Sequence, residues 1–166
     1  MDKFGLDSLG VQEMHTAARA LDTDASKYEN DRNLEMQWAI KAYHHADTYF
    51  KLISTLDSRG LKLTRIDDEI YSKFKQKFPK FKLDILDNEE LKSEESKALW
   101  RTFCNEFENV VEDFNFGTLI RIDAKKDYSE ENTILVTRIQ FYAIEIARNR
   151  EGCNAACYGK PAPNEA

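Results

Sequence analysis

The sequence predicts a mainly α, compact single domain of about five helices, with a small β-hairpin or a short two- to three-stranded sheet. Three observations predict it. Apolar residues recur at three- and four-residue spacing through several long stretches. Strict alternation is confined to a few short ones, and 166 residues suit one hydrophobic core. Residues 1–10 read as a flexible lead-in, 11–158 as the globular domain and 159–166, with Pro161 and Pro163, as a disordered tail.

Val11 to Leu21 fits a short helix with Val11, Met14, Ala18 and Leu21 on one face, and the polar run Asp22 to Glu29 reads as a connection. Asn33 to Leu56 is the strongest helix. Leu34, Trp38, Ala42, His45, Tyr49 and Leu52 form one stripe, and Met36, Ile40, Tyr43, Phe50 and Ile53 fill the adjoining face. Apolar over so much of its circumference, it is expected at the centre of the core. Gly60 marks its end.

Thr64 to Phe78 reads as the next helix, with Asp67 as N-cap and Pro79 as the stop. Phe81 to Leu86 alternates like a strand. Asp87 and Glu90 have the spacing of a capping box at the start of a helix that breaks near Ser93. The helix then resumes as a stripe of Trp100, Phe103, Phe107, Val110, Val111 and Phe114. Thr118 to Asp123 and Thr133 to Val136 read as two strands pairing across the loop 124–131, and a last helix runs from Arg138 towards Gly152.

Chemistry-bearing patterns are sparse. The six glycines are scattered, and neither a Walker loop nor GxGxxG occurs. His44 and His45 diverge by about 100° on a helix, too far to share an ion easily, so His45 is assigned to the core and His44 to the surface. Cys153 and Cys157 lack a second ligand pair for zinc, and Cys104 is assigned to the core. Glu106, Glu108, Glu112 and Asp113 read as the wet side of a helix. Catalytic, cofactor and metal sites are therefore not expected.

The net charge of −6 argues against general affinity for nucleic acid. One stretch, "KFKQKFPKFK" at 73–82, interleaves five lysines with three phenylalanines. That is either a helix and strand with lysines outside, or a local patch facing RNA or an acidic partner. No apolar run is long enough for a membrane span, no secretory signal is visible, and three cysteines form no disulfide framework. These features favour a reducing compartment, the cytoplasm or the nucleus.

Blocks such as "YENDRNLEMQWA", "LKLTRIDDEIYSKF", "VEDFNFGTLIRID" and "EENTILVTRIQFYAIEIARNREG", in order from Leu21 to Gly152, resemble the eukaryotic polysaccharide-biosynthesis-domain-containing protein 1 family. The resemblance implies a compact helical fold and a non-enzymatic, cytosolic, ribosome-associated chaperone. Its client is newly made translation elongation factor 1-alpha, engaged through the GTP-binding domain. An enzyme or accessory factor of polysaccharide biosynthesis is the alternative that the family name suggests. An RNA- or ribosome-binding module built on Lys73–Lys82 is the other. No family motif assigns client contacts, so candidates come from expected exposure. They are Arg138, Glu145, Arg148 and Arg150 on the last helix, Asn115 and Phe116 at the turn before Gly117, and Asp67, Asp68 and Glu69 at an acidic helix start.

Overall fold

The computed structural model describes residues 25–159, with side chains from Arg32 onward. Helix α1 runs Ala25–Thr55, α2 Asp67–Lys77, α3 Asn88–Lys92, α4 Glu94–Asn105 and α5 Arg138–Arg150. Strands β1 (Gly117–Arg121) and β2 (Thr133–Thr137) pair antiparallel, with Gly117 opposite Thr137 and Arg121 opposite Thr133. Five helices and a two-stranded sheet thus make one mainly α domain, as the periodicity predicts. The expected helix at Val11–Leu21, the lead-in and residues 160–166 lie outside the described residues. Gly159 is not loose: its N–H donates to the Ser54 carbonyl at 2.7 Å, fastening the chain to the end of α1.

The interior is laid down by aromatics. Phe74 of α2 and Trp100 and Phe103 of α4 meet Phe78, Phe81 and Phe107, with Phe78 stacked on Trp100 at 4.2 Å between ring centres. Fully burying each such side chain stabilises the fold by about 1.5–3 kcal/mol. The Trp100 indole N–H donates to the Glu90 carbonyl, so the ring is buried without an orphaned donor. Ser93 both ends α3 and caps α4, its hydroxyl accepting from the Ser96 N–H, which is the break that the sequence suggests. Thr137 and Gln140 form a capping box that turns β2 straight into α5.

Several local expectations are corrected. Residues 81–86 form no strand: Phe81, Leu83 and Leu86 are buried anchors, and only an isolated bridge joins Ile85 to Asp123. The alternation holds for Phe81 and Leu83 but fails at Ile85, which is 54% exposed, and pairing with the end of β1 is limited to the Leu86 N–H on the Ile122 carbonyl and the Ala124 N–H on the Asp84 carbonyl. Helix α4 stops at Asn105, so Glu106, Glu108, Glu112 and Asp113 lie on successive turns rather than along one helix, and Asp113 takes a left-handed φ of 53°. Asp67 is not an N-cap. It is the first residue of α2, and its buried carboxylate accepts from the Leu63 and Thr64 N–H groups and the Thr64 hydroxyl, folding the preceding loop back onto the helix. Asp87 caps α3 through the Glu89 N–H, while Glu90 accepts from the Lys82 N–H instead of closing a box. Helix α1 starts at Ala25, inside the stretch read as a connection.

The largest correction concerns which helix is central. In α1 only one face is covered, by Ala42, Ala46, Tyr49, Phe50 and Ile53, while Leu34, Met36, Ile40 and Tyr43 stay exposed. The inner helix is α5, where an unbroken run from Ala143 to Asn149 is buried. Phe141, which sits off the α5 stripe of Ile139, Tyr142, Ala143 and Ile146, is buried edge-on against Tyr49 and His45 of α1.

Candidate functional site

The structure sorts the nine candidate residues into three places. Glu145 and Arg148, expected on the surface, are fully buried. Arg148 donates from Nη1 to Glu145 Oε2 at 2.8 Å, and to the carbonyls of Leu83, Arg121 and Ile122. Arg121 donates to Asn154 Oδ1 at 2.7 Å, to the Ala124 and Lys126 carbonyls and to the Cys157 sulfur, and it lies 3.5 Å from Glu145. Tyr49 donates to Glu145 at 2.8 Å, and Asn149 donates to the Tyr49 oxygen. Burial pushes the Glu145 carboxyl up, but Arg148 and Arg121 outweigh it and hold the group below its ordinary range. Burial, and then the charge of Glu145, drive the Tyr49 hydroxyl well above 10. This cluster binds α1, β1, α5 and the C-terminal turn together. It is closed to any partner. Nothing in the helical spacing of Glu145 and Arg148 announces it; Arg121 within the apolar strand "TLIRI" is the one signal the sequence offers.

A second group lies around α2. Arg150 reaches Asp68 at 2.6 Å and lies over the Tyr71 ring, whose hydroxyl donates to Glu151. Glu69 pairs with Lys73, which with Lys77 also meets Glu106; Lys75 pairs with Glu151 and Lys82 with Asp87. Phe74, Phe78 and Phe81 point inward. Four of the five lysines of the 73–82 stretch therefore face carboxylates, which lowers the local positive potential that phosphate binding needs. Asp67 is committed to its loop, as described above.

The third group is open. Asn115 is exposed and Phe116 half-buried at the turn into β1. The Arg138 guanidinium lies 5.3 Å from the centre of the Phe116 ring and the Lys41 ammonium 5.6 Å, while Trp38 of α1 tilts towards the same ring at 6.5 Å. Arg138 is held by Asp113 at 3.8 Å and by the Glu112 carbonyl at 3.5 Å. Gly117 explains the closeness: a Cβ there would stand 2.9 Å from the Trp38 ring. Leu34, one turn before Trp38, is 63% exposed. Behind the cluster His45 packs on Phe141, its Nδ1 without a hydrogen-bond partner. Burial and then the nearby Arg138 charge lower its pKa, favouring the neutral ring. Sequence reading placed Arg138, Asn115 and Phe116 as candidates but assigned Trp38 to the core and passed over Lys41. Two cations and two aromatics at a half-open surface can grip an acidic or aromatic side chain of another protein.

Cys153 is half-buried, with its pKa raised by burial. Cys157 is buried and donates to the Ala124 carbonyl. Cys104, assigned to the core, is half-buried beside Thr137. Among the described residues no three His, Cys, Asp or Glu side chains are grouped to hold a metal, and no helix is long and apolar enough to cross a membrane.

Several known proteins are similar to this chain. The sequence model of the family described as PBDC1 protein matches residues 34–159. Protein PBDC1 of Homo sapiens is 53% identical over 154 residues, covering 93% of this chain and 66% of the human protein. The Protein PBDC1 homolog of Saccharomyces cerevisiae is 44% identical over 135 residues, or 79% of this chain and 92% of the yeast protein. A solution NMR structure of a Saccharomyces cerevisiae protein superposes with a TM-score of 0.72 at 42% identity, covering 83% of this chain and 97% of that one.

Proposed function

This chain belongs to the PBDC1 protein family, and on that premise we propose that it works as a binding protein rather than an enzyme. Its client, on this reading, is newly made translation elongation factor 1-alpha, held through the GTP-binding domain in the cytoplasm while that domain folds. The observation that best supports the reading is the open cluster of Trp38, Phe116, Arg138 and Lys41. It supplies the aromatic and arginine anchors on which protein interfaces depend, on a rigid platform of helix and strand. Release needs no nucleotide site in the chaperone. A client that binds less tightly once folded and nucleotide-loaded leaves by differential affinity alone.

The test is crosslinking to nascent elongation factor 1-alpha in a translating lysate, with Phe116→Ala and Arg138→Glu as variants and thermal melting as the control for folding. The reading expects crosslinking to be lost while the melting temperature stays near that of the parent. Undiminished crosslinking by both folded variants would remove this surface from the interface. Failure of the parent chain to crosslink would remove the client. Pairing of Lys73, Lys75, Lys77 and Lys82 with carboxylates leaves the RNA-binding alternative without comparable support.

A further inference from the structure

The charges around Phe116 are unbalanced in a way that the rest of the surface is not. Arg138 and Lys41 stand 5.3 and 5.6 Å from the centre of the one ring, so their charges lie within about 11 Å of each other, a distance that about three residues of extended chain span. Among the described residues Lys41 meets no carboxylate; its contact is with Phe116. Around α2, by contrast, Lys73, Lys75, Lys77 and Lys82 all face carboxylates. In a chain of net charge −6, two neighbouring cations beside aromatic rings make a local reversal of sign.

Among the described residues, one carboxylate touches this pair, and it does so weakly. Asp113 reaches Arg138 at 3.8 Å, with its own side chain 55% exposed. An ion pair so open to water contributes little. Asp113 also holds a left-handed φ of 53°, a conformation that costs an L-residue free energy and tends to collect at functional sites. The Arg138 guanidinium has several N–H donors, and among the described residues it gives one long bond, 3.5 Å to the Glu112 carbonyl. Most of its capacity for a carboxylate is therefore unspent.

We propose that this surface recognises an acidic segment of a partner protein, whose carboxylates pair with Lys41 and replace Asp113 on Arg138. The inference rests on reading this surface as the interface, and adds what the partner must carry. Asp113 is the stand-in: it holds the guanidinium over Phe116 until a better placed carboxylate arrives. Leu34, 63% exposed, lies one turn from Trp38 on the same side of α1, so the acidic segment is expected to bring an apolar side chain to cover it. Single-stranded RNA also suits cations beside aromatic rings. Its phosphates, however, need positive charge along a whole path, and an acidic chain with two cations here offers a poor one.

The test is a titration of the full chain against a short fluorescein-labelled peptide of alternating Asp and Leu, read by anisotropy. Its counterpart with Asn in place of Asp is expected to bind at least about tenfold more weakly, as is the acidic peptide to Lys41→Glu. Asp113→Asn keeps a side chain that tolerates the left-handed backbone and removes the competing charge. It is expected to tighten the acidic peptide about threefold, because the site is no longer self-occupied. Lys41 and Asp113 are both exposed, so the variants are expected to melt with the parent.

Equal binding of the two peptides overturns the inference, as does no binding of the acidic one. Weaker binding by a folded Asp113→Asn overturns the replacement step and the proposal with it. Tighter binding of a labelled oligouridine than of the acidic peptide overturns it in favour of RNA. The client reading stands or falls separately: charge preference without crosslinking in the lysate removes elongation factor 1-alpha and leaves the acidic segment. Crosslinking without charge preference does the reverse.

Discussion

Around α2 and α4, Phe78 stacks on Trp100 with ring centres 4.2 Å apart, and Phe74, Phe81 and Phe103 close round them. Around the C-terminal half of α5, the equally buried Glu145, Arg148, Arg121, Asn149 and Asn154 bond one another and the backbone carbonyls of Leu83, Arg121, Ile122, Ala124 and Lys126. Both regions exclude water, by different physics. Apolar contact is non-directional, so an aromatic cluster tolerates rearrangement if volume is kept. A buried polar cluster holds only when nearly every donor and acceptor is met, and here Arg121 Nε is its single unmet side-chain atom. The first supplies driving force. The second fixes one arrangement of α1, β1, α5 and the final turn.

The contrast is sharpest under substitutions that preserve shape. Glu145→Gln keeps the size of the side chain and removes its charge, leaving two buried guanidiniums without a counter-ion. It is expected to cost about 3 kcal/mol or more in chemical denaturation. The Glu145 contribution follows from its lowered pKa. Its stabilisation is present above the ordinary glutamate value of 4.5 and is lost as pH falls through the folded value. Phe103→Leu, at an equally buried site, is expected to cost less than about 1.5 kcal/mol, because neighbouring rings can close on a slightly smaller apolar group. If Phe103→Leu proves the more damaging of the two, the division of labour is wrong.

The smallest effect lies at the boundary between the interior and the open surface. His45 has its pKa lowered from 6.5, so the unfolded chain binds its proton more readily than the folded one. Stability is therefore full above about pH 6.5 and declines as pH drops through the window between that value and the folded one. Comparing denaturation midpoints of the parent and His45→Gln across this range should show the decline in the parent alone. An equal slope in both would assign the pH dependence to other groups.

These regions were unequally legible. The aromatic half was readable because Phe74, Trp100 and Phe103 repeat at helical spacing, and the hairpin because an alternating stretch at β1 and a β-branched apolar run at β2 flank a polar loop. The polar half was not, because pairing of Glu145 with Arg148 at three residues describes a wet helix face as well as a buried one. What decides between them is Arg121, Asn154 and Tyr49, brought together over long sequence separations. The first half of α1 misled for the converse reason. Leu34, Met36, Ile40 and Tyr43 have core composition, and composition cannot say whether the body of the domain extends far enough to cover them. At the candidate surface, Arg138 and Phe116 were named from the sequence, but Lys41 and Trp38 join them only because Gly117 lets β1 approach α1.

Trp38 and Trp100 are the two tryptophans of the chain. One indole is half open beside Phe116, while the other is 3% exposed among stacked rings. The molecule thus carries two intrinsic optical probes with separate addresses. Iodide or acrylamide in solution will quench the emission of the first and leave the second nearly untouched. A bound protein that shelters Trp38 will shift and protect that fraction of the emission alone, so occupancy can be followed by light without attaching a label.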